Sequence, residues 1–237
     1  MPSPSSDPKV ALVLGVGPGL GAATARRLAA DGFRVAIARR NVADLAELAA
    51  EIGAHPYAID VQDPDSLATA LSAIEADLGP IHTVCWNVGS GVFGTLESID
   101  VEGLDRALNT NTRGLFLLAK QLLPAMAKRG DGALIITGAT ASTRGKPFTT
   151  AFAPGKMSQR GLAQALARTY WPKGVHVALL LVDGMVDLPS TRASQPGRPD
   201  QDYVSPDGYA HAVSFLLSQP RAAWTFELDI RPHVETW

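Results

Sequence analysis

The sequence predicts a doubly wound α/β fold, in which helices cover both faces of a parallel sheet of about seven strands. Short apolar runs alternate with amphipathic stretches along the chain, and a glycine-rich turn joins the first run to the first amphipathic stretch. Short buried strands separated by helices are typical of parallel sheets. The length of 237 residues suits a single domain, which we expect at 9–237 after a disordered polar leader at 1–8.

The individual elements follow from the period of the hydrophobic residues. Apolar runs predict strands at KVALVL (9–14), FRVAIA (33–38), HPYAID (55–60), IHTVCW (81–86), ALIITG (133–138), VHVALLLV (175–182) and 224–229. Amphipathic stretches predict helices at 19–31, 41–52, 64–78, 101–129, 152–171 and 206–218. Residues 185–205 are rich in Pro, Ser, Asp and Gly, and we expect them to form a mobile substrate loop.

Composition narrows the class of function. A net charge of −2 and a pI near 6.2 argue against nucleic acid or an anionic membrane as the main partner, because both attract basic surfaces. The single cysteine, Cys85, cannot form an intramolecular disulfide, and no His or Cys spacing suggests a metal site. The N-terminus lacks the pattern of a signal peptide, and no apolar run approaches the ~20 residues of a membrane span. We therefore expect a cytoplasmic protein with a small-molecule ligand and no metal.

The segment LGVGPGLG is the strongest local motif. It places Gly15, Gly17, Gly19 and Gly21 between the first strand and a helix that starts near Leu20. Without side chains, the backbone of such a turn can approach a pyrophosphate, which the helix N-terminus attracts. An ordinary tight turn is the alternative, but the position after the first strand of a βαβ unit favours the Rossmann dinucleotide fingerprint.

Two arginines at the end of the second strand bear on the choice of cofactor. In dinucleotide-binding folds this strand ends beside the adenosine ribose, where a basic residue accommodates a 2′-phosphate. Arg39 and Arg40 occupy that position. We therefore expect NADP(H) as the cofactor and NAD(H) as the less favoured one.

At these positions the sequence resembles the short-chain dehydrogenase/reductase family. Gly15, Gly19 and Gly21 match the family's first turn, although Leu14 stands where the family has threonine. The resemblance implies that adenine lies against Asp60 and Val61, that Asn87 and Gly89 belong to the family segment after strand four, and that Asn111 is the asparagine of the long fourth helix. It also implies a dimer or tetramer through the long fourth and fifth helices.

The resemblance breaks down at the catalytic tetrad of Asn, Ser, Tyr and Lys. Lys156 fixes the register, which puts Phe152 at the tyrosine position and Ala139 at the serine position. The proton-transferring phenol and the hydroxyl that hydrogen-bonds the substrate oxygen are both missing. The enoyl-reductase spacing would need a tyrosine at Thr149. Hydroxyl groups near these positions in sequence belong to Thr140, Ser142 and Thr150, and Tyr203 and Tyr209 flank the substrate loop, from which they could offer a phenol. Each of these residues also has a more ordinary structural interpretation.

The family's Pro-Gly after strand six falls on Asp183 and Gly184, with Val186 next to the expected nicotinamide site and Leu188 in place of a threonine. Asp183 either braces the loop or replaces the lost acid, since a desolvated carboxyl group can titrate near neutrality. The resemblance gives Lys156 a second role, which is to bind the nicotinamide ribose. That role does not depend on the missing phenol.

Two hypotheses from different classes follow. The first is an NADP-dependent oxidoreductase with an altered site, which transfers hydride between the nicotinamide and an apolar carbonyl or alcohol. The second is an NADP(H)-binding protein with decayed catalysis, acting as a sensor or partner subunit. Several apolar side chains line either the substrate pocket or the core, namely Trp86, Phe93, Phe148, Phe152, Met185 and Leu188.

Overall fold

The computed structural model describes residues 7–236, so residues 1–6 of the expected leader lie outside it. The fold is a seven-stranded parallel sheet. Its strands are β1 (Val10–Leu14), β2 (Arg34–Arg39), β3 (His55–Ala58), β4 (Ile81–Trp86), β5 (Gly132–Ala139), β6 (Val175–Val182) and β9 (Glu227–Ile230). They lie in the order β3-β2-β1-β4-β5-β6-β9. This is the predicted fold class.

Helices cover both faces of the sheet, as the alternating pattern predicted. They are α1 (Leu20–Ala30), α2 (Ala46–Ile52), α3 (Pro64–Leu78), α4 (Val101–Leu108), α5 (Gly114–Arg129), α6 (Phe152–Tyr170), α7 (Pro189–Ser194) and α8 (Pro206–Ser218). Apolar side chains of α1, α2 and α8 form the core on one face, and those of α3, α5 and α6 form the core on the other. Every residue of β1 and β6 is buried, which explains their uninterrupted apolar runs.

Side-chain caps explain why several helices begin where the sequence predicted. The Asp63 side chain accepts a hydrogen bond from the Asp65 N–H at the start of α3, with Pro64 in the first turn. Ser205 caps α8 in the same way by accepting from the Gly208 N–H. The predicted helix at 41–52 needs a correction, because its first part, Val42–Leu45, is a 3-10 turn.

The helix predicted at 101–129 is continuous but not uniform. A π-helical turn at Asn109–Arg113 separates α4 from α5. Gly114 follows this turn, where an added Cβ would lie 3.0 Å from the Val61 carbonyl oxygen and 3.2 Å from the Trp86 ring. The close approach explains the glycine, and the turn brings the fully buried Asn111 to the carboxyl edge of the sheet.

Residues 185–205 correct the expectation of a loop without secondary structure. They contain α7 and two short parallel strands, β7 (Met185–Val186) and β8 (Tyr203–Val204). The Arg192 guanidinium bonds the carboxylates of Asp187 and Asp200 and lies over the Tyr203 ring. Tyr203 and Val204 are buried, so the segment has apolar anchors that its composition did not suggest.

Within the part of the chain that the structure describes, no helix is both long and apolar enough to cross a bilayer.

Candidate functional site

The carboxyl ends of the central strands border an open cleft of about 960 Å³. In doubly wound sheets this edge is where ligands bind. Predicted site residues from four strands and the loops after them line the cleft, namely Gly15, Gly17, Arg39, Arg40, Asp60, Val61, Asn87 and Gly89. The fold therefore brings together residues that are more than 70 positions apart in the sequence.

The glycine-rich turn is shaped by close backbone contacts. Gly15 has a φ of +76°, and a Cβ there would lie 2.7 Å from the Asn87 carbonyl oxygen, so only glycine fits without strain. Gly17 differs, because nothing lies within 4 Å of its would-be Cβ and the space belongs to the cleft. The Asn87 side chain fixes the turn by donating to the Gly15 carbonyl oxygen at 3.1 Å.

The start of α1 offers unused hydrogen-bond donors. Gly19 is its N-cap residue and makes no side-chain cap. The Ala22 N–H donates to the Gly17 carbonyl oxygen at 3.1 Å and the Ala23 N–H to the Gly19 carbonyl oxygen at 3.0 Å. The N–H groups of Leu20 and Gly21 have no such acceptor among residues 7–236. An anion in front of these N–H groups would complete their hydrogen bonding and would also be favoured by the helix dipole.

The two arginines after β2 differ in their surroundings. Arg39 forms an ion pair with Asp44 at 3.0 Å. Arg40 is exposed and forms no ion pair with any other residue of 7–236. Across the cleft, one carboxylate oxygen of Asp60 accepts from the Gln62 N–H at 3.0 Å, which holds that acidic side chain in place. Arg40 is thus the guanidinium that is available to a ligand.

A buried polar network lies where α6 crosses β5 and the π-helical turn. The Lys156 ammonium donates to the Thr137 carbonyl oxygen at 2.9 Å and to the Gln159 side-chain oxygen at 3.1 Å. Burial lowers the pKa of Lys156 to about 8, because the charged form is desolvated. The Asn111 amide donates to the Ala107 carbonyl oxygen at 2.8 Å, so Asn111 satisfies the backbone of α4 just before the π-helical turn.

Ala139 lies at the end of β5, and Phe152 lies at the start of α6. The Phe152 ring centroid lies 4.7 Å from that of Phe93. The Phe148 ring centroid lies 6.3 Å from that of Phe93, and both of these residues are more than half exposed. The three rings form an aromatic cluster at 93, 148 and 152. Trp86, in contrast, is fully buried in the core and contributes nothing to this surface.

Three hydroxyl groups near Phe152 and Ala139 form hydrogen bonds with the backbone. The Ser142 side-chain oxygen accepts from the Ala139 N–H at 3.1 Å, and Thr149 bonds both the N–H and the carbonyl oxygen of Lys146. The Thr150 hydroxyl points to the Pro147 carbonyl oxygen. Each of these groups satisfies backbone, which agrees with the ordinary interpretation of such residues.

The two candidate tyrosines are packing residues. Tyr209 is buried, its hydroxyl lies 2.6 Å from that of Thr137, and burial raises its pKa further above the ordinary value. The ring of Tyr203 is covered by the guanidinium groups of Arg192 and Arg198. Neither phenol is placed beside Phe152 to supply its missing oxygen.

Asp183 is a brace, which corrects the alternative that it replaces the acid. Thr140 donates to it at 2.5 Å, Arg144 at 3.0 Å, and Arg231 lies 3.2 Å away. Burial alone would raise the pKa of Asp183, but these hydrogen bonds and positive charges outweigh it and hold the pKa below its ordinary value. A carboxylate held ionised in this way is a poor proton donor.

The segment after β6 reaches back over the glycine-rich turn. An added Cβ on Gly19 would overlap the Leu188 Cδ2 atom, so the two residues are in direct contact. Gly184 has a φ of +155° beside Pro232, and the Val186 carbonyl oxygen accepts from the Thr191 hydroxyl. Gly184 and Val186 belong to this segment and are not part of the lining of the open cleft.

Three residues of this region escaped sequence analysis, namely Gln159, Arg144 and Arg231. Gln159 is three positions after Lys156, which is one helical turn, and this spacing was the only signal that connected it with the site. The two arginines are distant in sequence from Asp183, so nothing in the pattern linked them. Among residues 7–236, no group of three or more His, Cys, Asp or Glu side chains is arranged to hold a metal ion.

Comparison with known proteins gives a consistent result. The protein family described as "short chain dehydrogenase" matches this chain over residues 9–198. A short-chain dehydrogenase/reductase of Armillaria gallica is 35% identical over 182 residues, which cover 73% of this chain and 69% of the relative. An inactive 2-(S)-hydroxypropyl-CoM dehydrogenase 2 of Xanthobacter autotrophicus is 29% identical over 213 residues, which cover 84% of this chain and 93% of the relative.

A solved structure extends the likeness to three dimensions. The alcohol dehydrogenase of the archaeon Thermococcus sibiricus, complexed with 5-hydroxy-NADP, matches with a TM-score of 0.87 and 28% identity. The match covers 97% of this chain and 99% of that chain. The family match extends from β1 into the segment after β6, and it includes the glycine-rich turn, Asn111 and Lys156. The chain therefore belongs to the short-chain dehydrogenase family.

Proposed function

We propose that this protein binds NADP(H) and transfers hydride between the nicotinamide and an apolar carbonyl or alcohol, at a site without the usual proton donor. The observation that carries the proposal is the glycine-rich turn, where the empty space beside Gly17 meets the uncapped start of α1. A pyrophosphate suits both features, since it needs a close backbone approach and unpaired N–H groups.

Other residues of the cleft suit the rest of such a cofactor. We assign the 2′-phosphate to Arg40 with Arg39, and the adenine to Asp60 and Val61. The NADP-type ligand of the Thermococcus sibiricus relative supports the same choice of cofactor. The nicotinamide half is assigned to the residues at the other end of the site, namely Asn87, Gly89, Lys156, Gly184 and Val186.

The bound cofactor would supply the hydride, and the chain's own residues would position the reactants. The Lys156 ammonium suits the ribose hydroxyl groups, because it retains donor capacity and is fixed by Thr137 and Gln159. The aromatic cluster at 93, 148 and 152 suits an apolar substrate. Neither Phe152 nor Ala139 has a side-chain oxygen for the substrate oxygen, so proton transfer would rely on water or on the substrate.

A second candidate function is NADP(H) binding without turnover, in a sensor or a partner subunit. Phe152 and Ala139 favour it, and so does the similarity to a relative that is named inactive. The retained Lys156 and Asn111 favour the oxidoreductase, since a protein that recognises only the adenosine half would not need them. We further propose a cytoplasmic homodimer or homotetramer, which the half-exposed Phe116 on α5 supports.

Cofactor preference provides the direct test of the binding proposal. A charge-assisted bond to the 2′-phosphate is worth about 1.5–3 kcal/mol, so NADPH should bind roughly ten- to a hundredfold more tightly than NADH. Fluorescence titration of both nucleotides measures this ratio, and Arg40→Asp should abolish the preference. Arg168→Asp, an exposed site on α6, serves as the matched control. Equal dissociation constants in the wild type would contradict the assignment of NADP(H).

Turnover separates the two candidate functions. NADPH oxidation is followed with a panel of aldehydes, ketones and quinones. Oxidation that depends on one of these substrates supports the oxidoreductase. Tight NADPH binding with no oxidation across the panel supports the second candidate.

A further inference from the structure

Gln159 is a fully buried amide with both ends bonded. Its side-chain oxygen accepts from the Lys156 ammonium at 3.1 Å, and its side-chain nitrogen donates to the Asn111 carbonyl oxygen at 3.0 Å. The amide thus joins α6 to the π-helical turn through one side chain. A buried polar group that is satisfied at both ends fixes the geometry of its partners.

The bond to Gln159 restricts the direction of the remaining Lys156 donor. An ammonium group has three N–H donors, and Thr137 and Gln159 take two of them. On the side of Gly89, an added Cβ would lie 3.6 Å from the Lys156 nitrogen and 3.5 Å from the Asn111 side-chain oxygen. Because Gly89 has no side chain and lines the cleft, a ligand can approach the ammonium from this side.

We propose that Gln159 is the positioning residue for Lys156, and that it directs the free N–H of the ammonium toward the Gly89 side of the cleft and the nicotinamide ribose. The inference rests on the proposed binding of NADP(H). Without the amide, the ammonium would keep only the Thr137 carbonyl oxygen as a fixed partner. Its direction would then vary, and the contact to the cofactor would weaken.

The titration of Lys156 reports this arrangement. Burial already lowers its pKa to about 8, and an acceptor for the ammonium counteracts part of that effect. Loss of the Gln159 oxygen should therefore lower the pKa of Lys156 further, and a carboxylate in its place should raise it. The ammonium is the form that attracts an anionic cofactor, so NADPH affinity should fall as the pH rises through this pKa.

Charged groups on the neighbouring elements do not account for the pKa, which burial alone shifts. β5 and the 3-10 turn at Thr140–Ser142 carry no ionisable side chain. Arg113 of the π-helical turn donates to the Gln62 carbonyl oxygen, and Arg106 of α4 is directed toward Asp100. His176 of β6 bonds the Thr225 carbonyl oxygen at the other end of that strand, and Asp183 is enclosed by Thr140, Arg144 and Arg231.

The test compares Gln159→Met and Gln159→Glu with the wild type, and Gln164→Met on the same helix is the control. Dissociation constants for NADPH and for 2′,5′-ADP, which lacks the nicotinamide ribose, are measured from pH 6.5 to 10. At pH 7.5, Gln159→Met should weaken NADPH binding roughly tenfold, as expected for a lost bond to a charged group. Affinity for 2′,5′-ADP should stay unchanged in every variant.

The pH midpoint of NADPH binding would not shift if Gln159 had a merely structural role. It should shift down in Gln159→Met and up in Gln159→Glu, and NMR titration of ¹³C-labelled lysine in the ligand-free protein should show the same directions. An unchanged midpoint in a folded variant overturns the proposal. If Gln159→Met fails to fold, the comparison of Gln159→Glu with the wild type decides. Failure of the wild type to bind 2′,5′-ADP instead contradicts the proposed function.

Discussion

The two halves of the site have different designs. The half that we propose for the adenosine depends on backbone shape and exposed cations, as at Gly15, Gly17 and Arg40, and its residues lie open to the cleft. The half that we propose for the nicotinamide depends on buried side chains that are bonded to each other, as at Lys156 and Gln159. The first half keeps the glycine pattern of the family, and the second keeps Lys156 but has Phe152 and Ala139 where the resemblance places Tyr and Ser.

The difference indicates that cofactor binding and proton transfer can change independently within one fold. Binding through backbone and surface charge needs few particular side chains, so it persists when the chemistry beside it changes. Proton transfer needs an oxygen at a defined position, and Phe152 and Ala139, which we assign to the two positions, have no side-chain oxygen. The proposed function gives the Lys156 ammonium a part in both binding and catalysis, so its surroundings are the most informative part of the site.

Restoring both oxygens should have the largest effect on this comparison. A positioned general acid contributes ~10²- to 10⁴-fold, so wild-type reduction should be slow wherever the proton must come from position 152. The double variant Phe152→Tyr with Ala139→Ser should raise the reduction of activated ketones at least ~10-fold, since the phenol would lie one helical turn from Lys156. Steady-state NADPH oxidation measures the gain.

The single variants are the controls for that experiment. Each should gain little, because the two oxygens act on the same substrate atom and such effects are strongly non-additive. A double variant that binds NADPH normally and gains nothing on any carbonyl would contradict the assignment of Phe152 and Ala139 to the catalytic positions. The second half of the site would then serve another task.

Alanine substitutions at Gly15 and Gly17 test the proposed adenosine half of the site. Gly15→Ala should lower the free energy of unfolding by at least ~1–2 kcal/mol, because its φ is positive and its Cβ would meet the Asn87 backbone. Gly17→Ala should leave stability equal or raise it by about 0.4–1 kcal/mol, since its Cβ meets nothing. Only NADPH affinity should fall in Gly17→Ala, because the methyl group enters the cleft.

Denaturant unfolding and fluorescence titration measure the two effects separately. If Gly17→Ala binds NADPH as tightly as the wild type does, the pyrophosphate does not lie at this turn. That result would remove the observation on which the proposed function depends.

The sequence predicted the central strands well because β1, β4 and β6 are almost fully buried and their apolar runs are continuous, whereas the edge strands β3 and β9 are largely exposed or half-buried. The bounds of β4 and β6 agree residue for residue with the predicted runs. Residues 185–205 were misjudged because Pro, Ser and Asp hide anchors that form only in three dimensions, such as Arg192 over Tyr203. The sequence did not predict the π-helical turn, because the hydrophobic period of such a turn hardly differs from that of an α-helix.

The candidate site, like the fold, could be predicted from the sequence only in part. The glycine-rich turn was predictable because its function requires a local pattern of residues without side chains. Gln159 was not, because a glutamine on an amphipathic helix usually faces solvent, and only the fold shows that this one is buried. Buried polar networks join residues from several elements, so no single stretch of sequence contains the information.

The smallest expected effect on turnover concerns Asp183, and it tests whether the second half kept an acid of its own. The Asp183→Asn variant retains an acceptor for Thr140 but removes the charge that Arg144 and Arg231 face. We expect a loss of about 1–3 kcal/mol in the free energy of unfolding, as for a buried charged group that loses its partner. Asp200→Asn is the matched control, since that carboxylate forms an exposed ion pair with Arg192 and should change stability by about 0–1 kcal/mol.

The pKa of Asp183 lies below its ordinary value, so its contribution to stability is present at neutral pH and is lost as the pH falls below about 4. Urea unfolding of both variants from pH 3 to 7 should therefore show the wild type and Asp183→Asn converging at the acid end. NADPH oxidation per folded molecule should not change, because a carboxylate that two guanidinium groups keep ionised has no proton to give. A variant of unchanged stability that has lost its turnover would show instead that the proton donor lies after β6.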